Sequence, residues 1–87
     1  MNTAYYITLA EDIESIPLGE IVFTSNRRLE NYLYLLGIRN IGYKKNWDGY
    51  TYWRYEVTPG LKQAFAHYAE IMAQKNAFHD SMYSHML

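Results

Sequence analysis

Arg27 and Arg28 open a segment with helical spacing, and further on the chain reads Lys44-Lys45-Asn46-Trp47-Asp48-Gly49-Tyr50-Thr51-Tyr52-Trp53-Arg54. Two guanidinium forks beside the free backbone N–H groups of a helix start suit a phosphate or a carboxylate, because cations there oppose the helix dipole unless an anion offsets it. The bland alternative is that both arginines are solvated, or that one pairs with Glu30 or with the acids of residues 11–14. In the second run Lys44, Lys45, Tyr50, Tyr52 and Arg54 interleave basic and aromatic chemistry, a mixture that stacks bases and tracks phosphates. The same residue types dominate the hot spots of protein interfaces, and they also decorate ordinary edge strands. Trp47 either folds back on the sheet or stands out as an anchor. His67, His79, Asp80 and His85 are the metal candidates, but their spacing matches no zinc pattern, so neither metal nor cofactor is expected. Catalysis would call for a nucleophile with its base, paired carboxylates or a phosphate-cradling glycine loop. No such pattern stands out, and no catalytic residue is assigned.

The elements that must hold these residues follow from hydrophobic spacing. Residues 4–10 alternate, with Tyr5, Ile7 and Leu9 on one side and Tyr6 and Thr8 on the other, which suits a half-buried strand. Residues 11–19, with Pro17 and Gly19, form a loop or a single helical turn, and residues 20–24 form a short apolar strand. Ser25 or Asn26 caps a helix whose Leu29, Tyr32, Leu33 and Leu36 share one stripe and which Gly37 ends. Residues 39–46 and 50–57 make a hairpin. A two-residue Asp48-Gly49 turn would mix polar and apolar residues on both faces. A three-residue loop of Trp47, Asp48 and Gly49 sorts them, pairing Tyr43 with Trp53 and Ile41 with Tyr55 on one face. The other face then carries Lys44 beside Tyr52, Asn40 beside Glu56, and Arg54 over Gly42. Thr58 and Pro59 open a last helix with Leu61, Phe65, Tyr68, Ile71 and Met72 in register, a pattern that weakens after Lys75 and leaves residues 76–87 a tail that frays. The expected fold is a single α+β domain of order β-β-α-β-β-α with its core in residues 20–75. Its mainly antiparallel sheet has both helices on one face.

Composition narrows the setting. A chain of 87 residues has a small core, yet ten of its residues are Tyr, more than such a core can hide. The absence of Cys excludes a disulfide framework and agrees with a reducing compartment. The start lacks a basic stretch and a long apolar run, so a soluble cytoplasmic protein with no membrane span is expected. Net charge is −1 but segregated: the first 26 residues contain acids and no base, whereas most of the bases fall between Arg27 and Lys62. The acidic segment either mimics nucleic-acid charge or covers the domain's own basic middle; the latter is the simpler reading. Near-neutral charge argues against strong nonspecific nucleic-acid binding.

The run Phe23-Thr24-Ser25-Asn26-Arg27-Arg28-Leu29, with Tyr32-Leu33, Lys45-Asn46, Asp48-Gly49, Thr51, Trp53 and Thr58-Pro59, resembles a family of small proteins from phages and integrated mobile elements of Gram-positive, often gut, bacteria. The likeness spans residues 22–75. It brings no activity and no catalytic residue. What it implies is genomic company, in which small proteins act as accessory regulators or inhibit host defence, CRISPR nucleases included. The leading expectation is therefore a non-enzymatic binder of a host protein, such as a defence nuclease, acting through Arg27, Arg28, Lys44, Lys45, Trp47, Tyr50, Tyr52 and Arg54. The alternative is a nucleic-acid-binding regulator using the same basic residues on phosphates, with Tyr52 or Trp47 stacking. A third possibility is a homodimer joined by the hairpin edge or by the tail with Met82 and Met86.

Overall fold

Asn26 and Thr58 are where the chain commits to its helices. Asn26 Oδ1 accepts from Leu29 N at 3.1 Å and Thr58 Oγ1 from Leu61 N at 3.0 Å, each satisfying a backbone donor that the first helical turn leaves free. The computed structural model describes the backbone of residues 4–86 and the side chains of residues 5–76. Along the chain come β1 (Ala4–Tyr6), a 3-10 helix (Ala10–Ser15), β2 (Ile21–Thr24), α1 (Arg27–Leu35), β3 (Tyr43–Lys45), β4 (Thr51–Glu56) and α2 (Pro59–Met86). The class is α+β, as expected.

The four strands lie in the order β1-β2-β4-β3. β4 is antiparallel to both neighbours, and β1 runs parallel to β2. Parallel neighbours cannot be joined by a tight turn, so the chain crosses over through the 3-10 helix. That crossover is why the first strand is shorter than the alternation over residues 4–10 suggests. Ile7 N still bonds Phe23 O at 2.8 Å, but Leu9 is exposed. Ile13 and Ile16, one 3-10 turn apart, are both buried.

α1 ends as its glycine requires. Gly37, at φ +83°, lets Ile38 N reach Leu33 O (2.9 Å) and Gly37 N reach Tyr34 O (3.0 Å), a pair of bonds that returns the chain over the helix end. Ile38 thereby packs on the core. The core unites Ile13 and Ile16, Val22, Tyr55 and Val57 of the sheet side, Leu29 and Leu33 of α1, and Leu61, Phe65 and Tyr68 of α2. The helices thus cover one sheet face and leave the other open. α2 continues as helical backbone to Met86, further than the weakening of the pattern after Lys75 suggests; the side chains of Met82 and Met86 lie outside the described residues. Among the described residues no helix is long and apolar enough to cross a membrane.

Tyr55 gives the core a testable weakness. Its hydroxyl is buried without a hydrogen-bond partner among the described residues. Burial, and secondarily the charge of Glu30, push its ionisation well above the ordinary tyrosine range. A group whose folded-state pKa is raised gives stability that is fully present below its unfolded value, about 10 for tyrosine, and is lost as pH climbs from there toward the folded value. Tyr55→Phe removes both the ionisation and the unpaired hydroxyl. It is expected to add about 1 kcal/mol at neutral pH and to flatten the loss of stability above about pH 10, read in urea melts across pH. A variant less stable at neutral pH would show that the hydroxyl is bonded.

Candidate functional site

β4 is the spine of the site. Alternation along it turns Trp53 and Tyr55 to the covered face and Tyr52 and Arg54 to the open one. Register then sets Lys44 of β3 opposite Tyr52, Phe23 of β2 opposite Arg54, and Tyr6 of β1 opposite Phe23. The open face therefore gathers three rings and two cations from four strands. Tyr6 and Phe23 stack with centroids 5.0 Å apart and planes at 17°, and the Tyr6 and Tyr52 rings meet edge to face at 5.3 Å. Lys44 Nζ lies 4.9 Å from the Phe23 centroid and 5.3 Å from that of Tyr6, within the range where a ring quadrupole attracts an ammonium. Under this cover Phe23 is only 8% exposed, although it belongs to the open face.

The hairpin tip is the three-residue loop expected from the facing pattern. Asn46 N bonds Tyr50 O and Gly49 N bonds Asn46 O, both at 3.0 Å, with Gly49 at φ +86°. Asp48 ties the tip to the face: Oδ1 accepts from Tyr50 N at 2.9 Å and Oδ2 from Tyr52 Oη at 3.2 Å. Desolvation, followed by the Asp48 carboxylate, raises the Tyr52 hydroxyl above its ordinary value. Trp47 does not fold back. It is 98% exposed; Tyr50, at the end of the loop, is 63% exposed, and Tyr43, opposite Trp53 further down β3, is 74% exposed.

Below the tip the hairpin departs from the expected pairing. Ile41 N bonds Arg54 O at 2.7 Å while Arg54 N bonds Gly42 O at 2.9 Å, so two residues face one. This is a bulge, which unpairs one residue and bends the strand. The expected pairs Ile41–Tyr55 and Asn40–Glu56 are not made. Ile41 is exposed, Asn40 Oδ1 instead accepts from Gly42 N at 3.1 Å, and the β3–β4 ladder stops at Tyr43 and Trp53. Arg54 does lie over Gly42, as expected, with its Nη2 donating to Ile41 O at 3.3 Å.

The eight candidate residues are not one patch. Lys44, Tyr52 and Arg54 come together on the open face. Lys45, opposite Thr51, alternates away from Lys44. Trp47 and Tyr50 crown the tip. Arg27 and Arg28 are exposed at the start of α1, in the helix layer across the sheet from Lys44 and Arg54. The acidic segment does not cover the basic face: it packs on α2, where Lys62 Nζ donates to Glu14 O at 3.3 Å. Of the histidines, His67 Nδ1 lies 2.7 Å from Tyr32 Oη, and the side chains of His79, Asp80 and His85 fall outside the described residues. Tyr6 and Phe23 are the site residues that the sequence reading missed. The alternation of residues 4–10 did turn Tyr6 away from the buried side, but the unbroken apolar run around Phe23 conceals which of its residues faces out. No family model, curated protein or solved structure matches this chain.

Proposed function

We propose that this chain is a non-enzymatic binding protein of a phage or mobile element that docks on a host protein, a defence nuclease being the expected class, through its hairpin tip and open sheet face. The observation that carries the reading is the exposure of Trp47 and Tyr50 at a hairpin tip braced by Asp48, with Tyr43 exposed further down β3. Large rings on a fixed loop bury much area with few rotatable bonds to order, the usual make-up of an interface anchor. The phage and defence parts of the proposal rest on the sequence resemblance alone. Direct nucleic-acid binding is the weaker reading. The faces of Tyr6 and Phe23 are spent on each other and on Lys44, so base stacking falls to Trp47 and Tyr50, and a net charge of −1 disfavours tracking a run of phosphates.

Pull-down of the tagged chain from host lysate, divided into nuclease-treated and untreated halves, tests this directly. A discrete protein retained after nuclease treatment supports the proposal. Enrichment that disappears with nuclease transfers the function to nucleic acid.

A further inference from the structure

The bulge at Ile41 and Gly42 leaves a concavity of about 260 Å³ on the open face, lined by Phe23, Gly42, Tyr43, Lys44 and Arg54. Both of its charged groups are cations. Arg54 spends one N–H on Ile41 O, and its other donors, like the Lys44 ammonium, meet no carboxylate within 4.0 Å among the described residues. Gly42 makes room for the Arg54 guanidinium at the edge of this space. A Cβ there would lie 3.1 Å from Arg54 Nη2, and the backbone at φ +142° is one that other residues rarely adopt.

We infer that this concavity is a receptor for a single carboxylate side chain, one Asp or Glu of the partner protein flanked by uncharged residues. The inference rests on the binding role proposed above and specifies its chemistry. Charge decides the sign of the ligand: Arg54 and Lys44 line one small space, and a carboxylate accepts from a guanidinium and from an ammonium. Size decides its extent, because the space falls below the roughly 300–1,000 Å³ of pockets that enclose whole small molecules. The neighbours decide between carboxylate and nucleic-acid backbone. Asp48 stands at the tip end of β4 and Glu56 at its other end, so a strand of phosphates laid along the face would meet a negative charge at each end. An isolated acidic side chain meets neither.

The test is an amide NMR titration of the full chain with a blocked Gly-Gly-Glu-Gly-Gly peptide, run beside inorganic phosphate and a thymidine hexanucleotide. The expected result is saturable shifts centred on Gly42, Tyr43, Lys44 and Arg54 with the peptide, about tenfold weaker in Arg54→Gln and in Lys44→Gln, as loss of a charge-assisted bond implies. Thermal melts of both variants check that they are folded; Arg54 is exposed, and its replacement is the cleaner of the two. Shifts elsewhere, equal affinity in the folded variants, or tighter binding of the hexanucleotide or of phosphate than of the peptide would overturn the inference. Failure here is separable from failure of the binding role. Arg54→Gln protein that still retains the nuclease-resistant partner removes the receptor and leaves the docking role, whereas a saturable peptide site in a chain that captures no host protein removes the docking role alone.

Discussion

Trp47→Ala is expected to leave the fold untouched and to weaken capture of the partner by about 30-fold or more, the effect of losing an interface anchor worth 2 kcal/mol or above. Both halves of the expectation come from the same fact. At 98% exposure the indole makes almost no contact within its own chain, so removing it costs no packing, and the melting temperature stays within about 3 °C, as for surface substitutions generally. The loop does not depend on the ring either: Gly49 provides its left-handed residue and Asp48 its side-chain bonds. Binding measured by calorimetry against the partner identified in the pull-down reads the first half and a thermal melt the second. Lys45→Ala, on the other face from Lys44, is the comparison and is expected to change affinity by less than about threefold, as for most interface-rim charges. If Trp47→Ala binds as the parent does, the hairpin tip is not the docking surface.

Phe65→Ala has the opposite signature. Phe65 is 0% exposed, at the centre of the cluster where α2 meets the sheet, α1 and the 3-10 helix. Truncating a buried Phe loses its transfer free energy and leaves a cavity that a small core relaxes into only in part, a cost of about 3–5 kcal/mol. A domain of this size has about 4–13 kcal/mol in total. The variant is thus expected to melt about 15–30 °C lower, at about 4–8 °C per kcal/mol, and to sit near the edge of folding at 37 °C. Circular dichroism melts measure this. A fall of less than about 5 °C would mean that α2 is not packed through Phe65 and that the open face is held in register by the sheet alone. Partner capture by this variant, assayed below its melting temperature, is expected to be unchanged, since no part of the tip or of the open face touches the deleted ring directly.

Much of the fold is legible in the residues because its signals are local. Asn26 three residues before Leu29, and Thr58 before Pro59, are caps whose geometry involves only neighbours, and Gly37 ends α1 for the same reason. The hairpin register follows from the two-residue period, since a slip by one would have turned Tyr43 and Trp53 to opposite faces. Charge segregation and the surplus of Tyr likewise announce a surface that does something other than fill a core.

What only the tertiary structure decided are the pairings between distant segments. No local signal says that β1 joins β2 in parallel, because that bond pattern depends on a crossover whose direction comes from burying Ile13 and Ile16 against α2. From that decision follows the presence of Tyr6 over Phe23; the order of β2, β4 and β3 brings Lys44 over both rings, and the packing of Leu29 and Leu33 in the core separates Arg27 and Arg28 from Lys44 and Arg54. The bulge at Gly42 belongs with them: the facing pattern alone extends the ladder to Ile41 and Tyr55, whereas Arg54 bonds both Ile41 and Gly42 and its guanidinium lies 3.1 Å from where a Cβ of residue 42 would be. Residue types and spacing thus determined the elements and the chemistry available, and long-range packing determined which of those groups share a face, because a face is made by contacts that sequence distance does not encode.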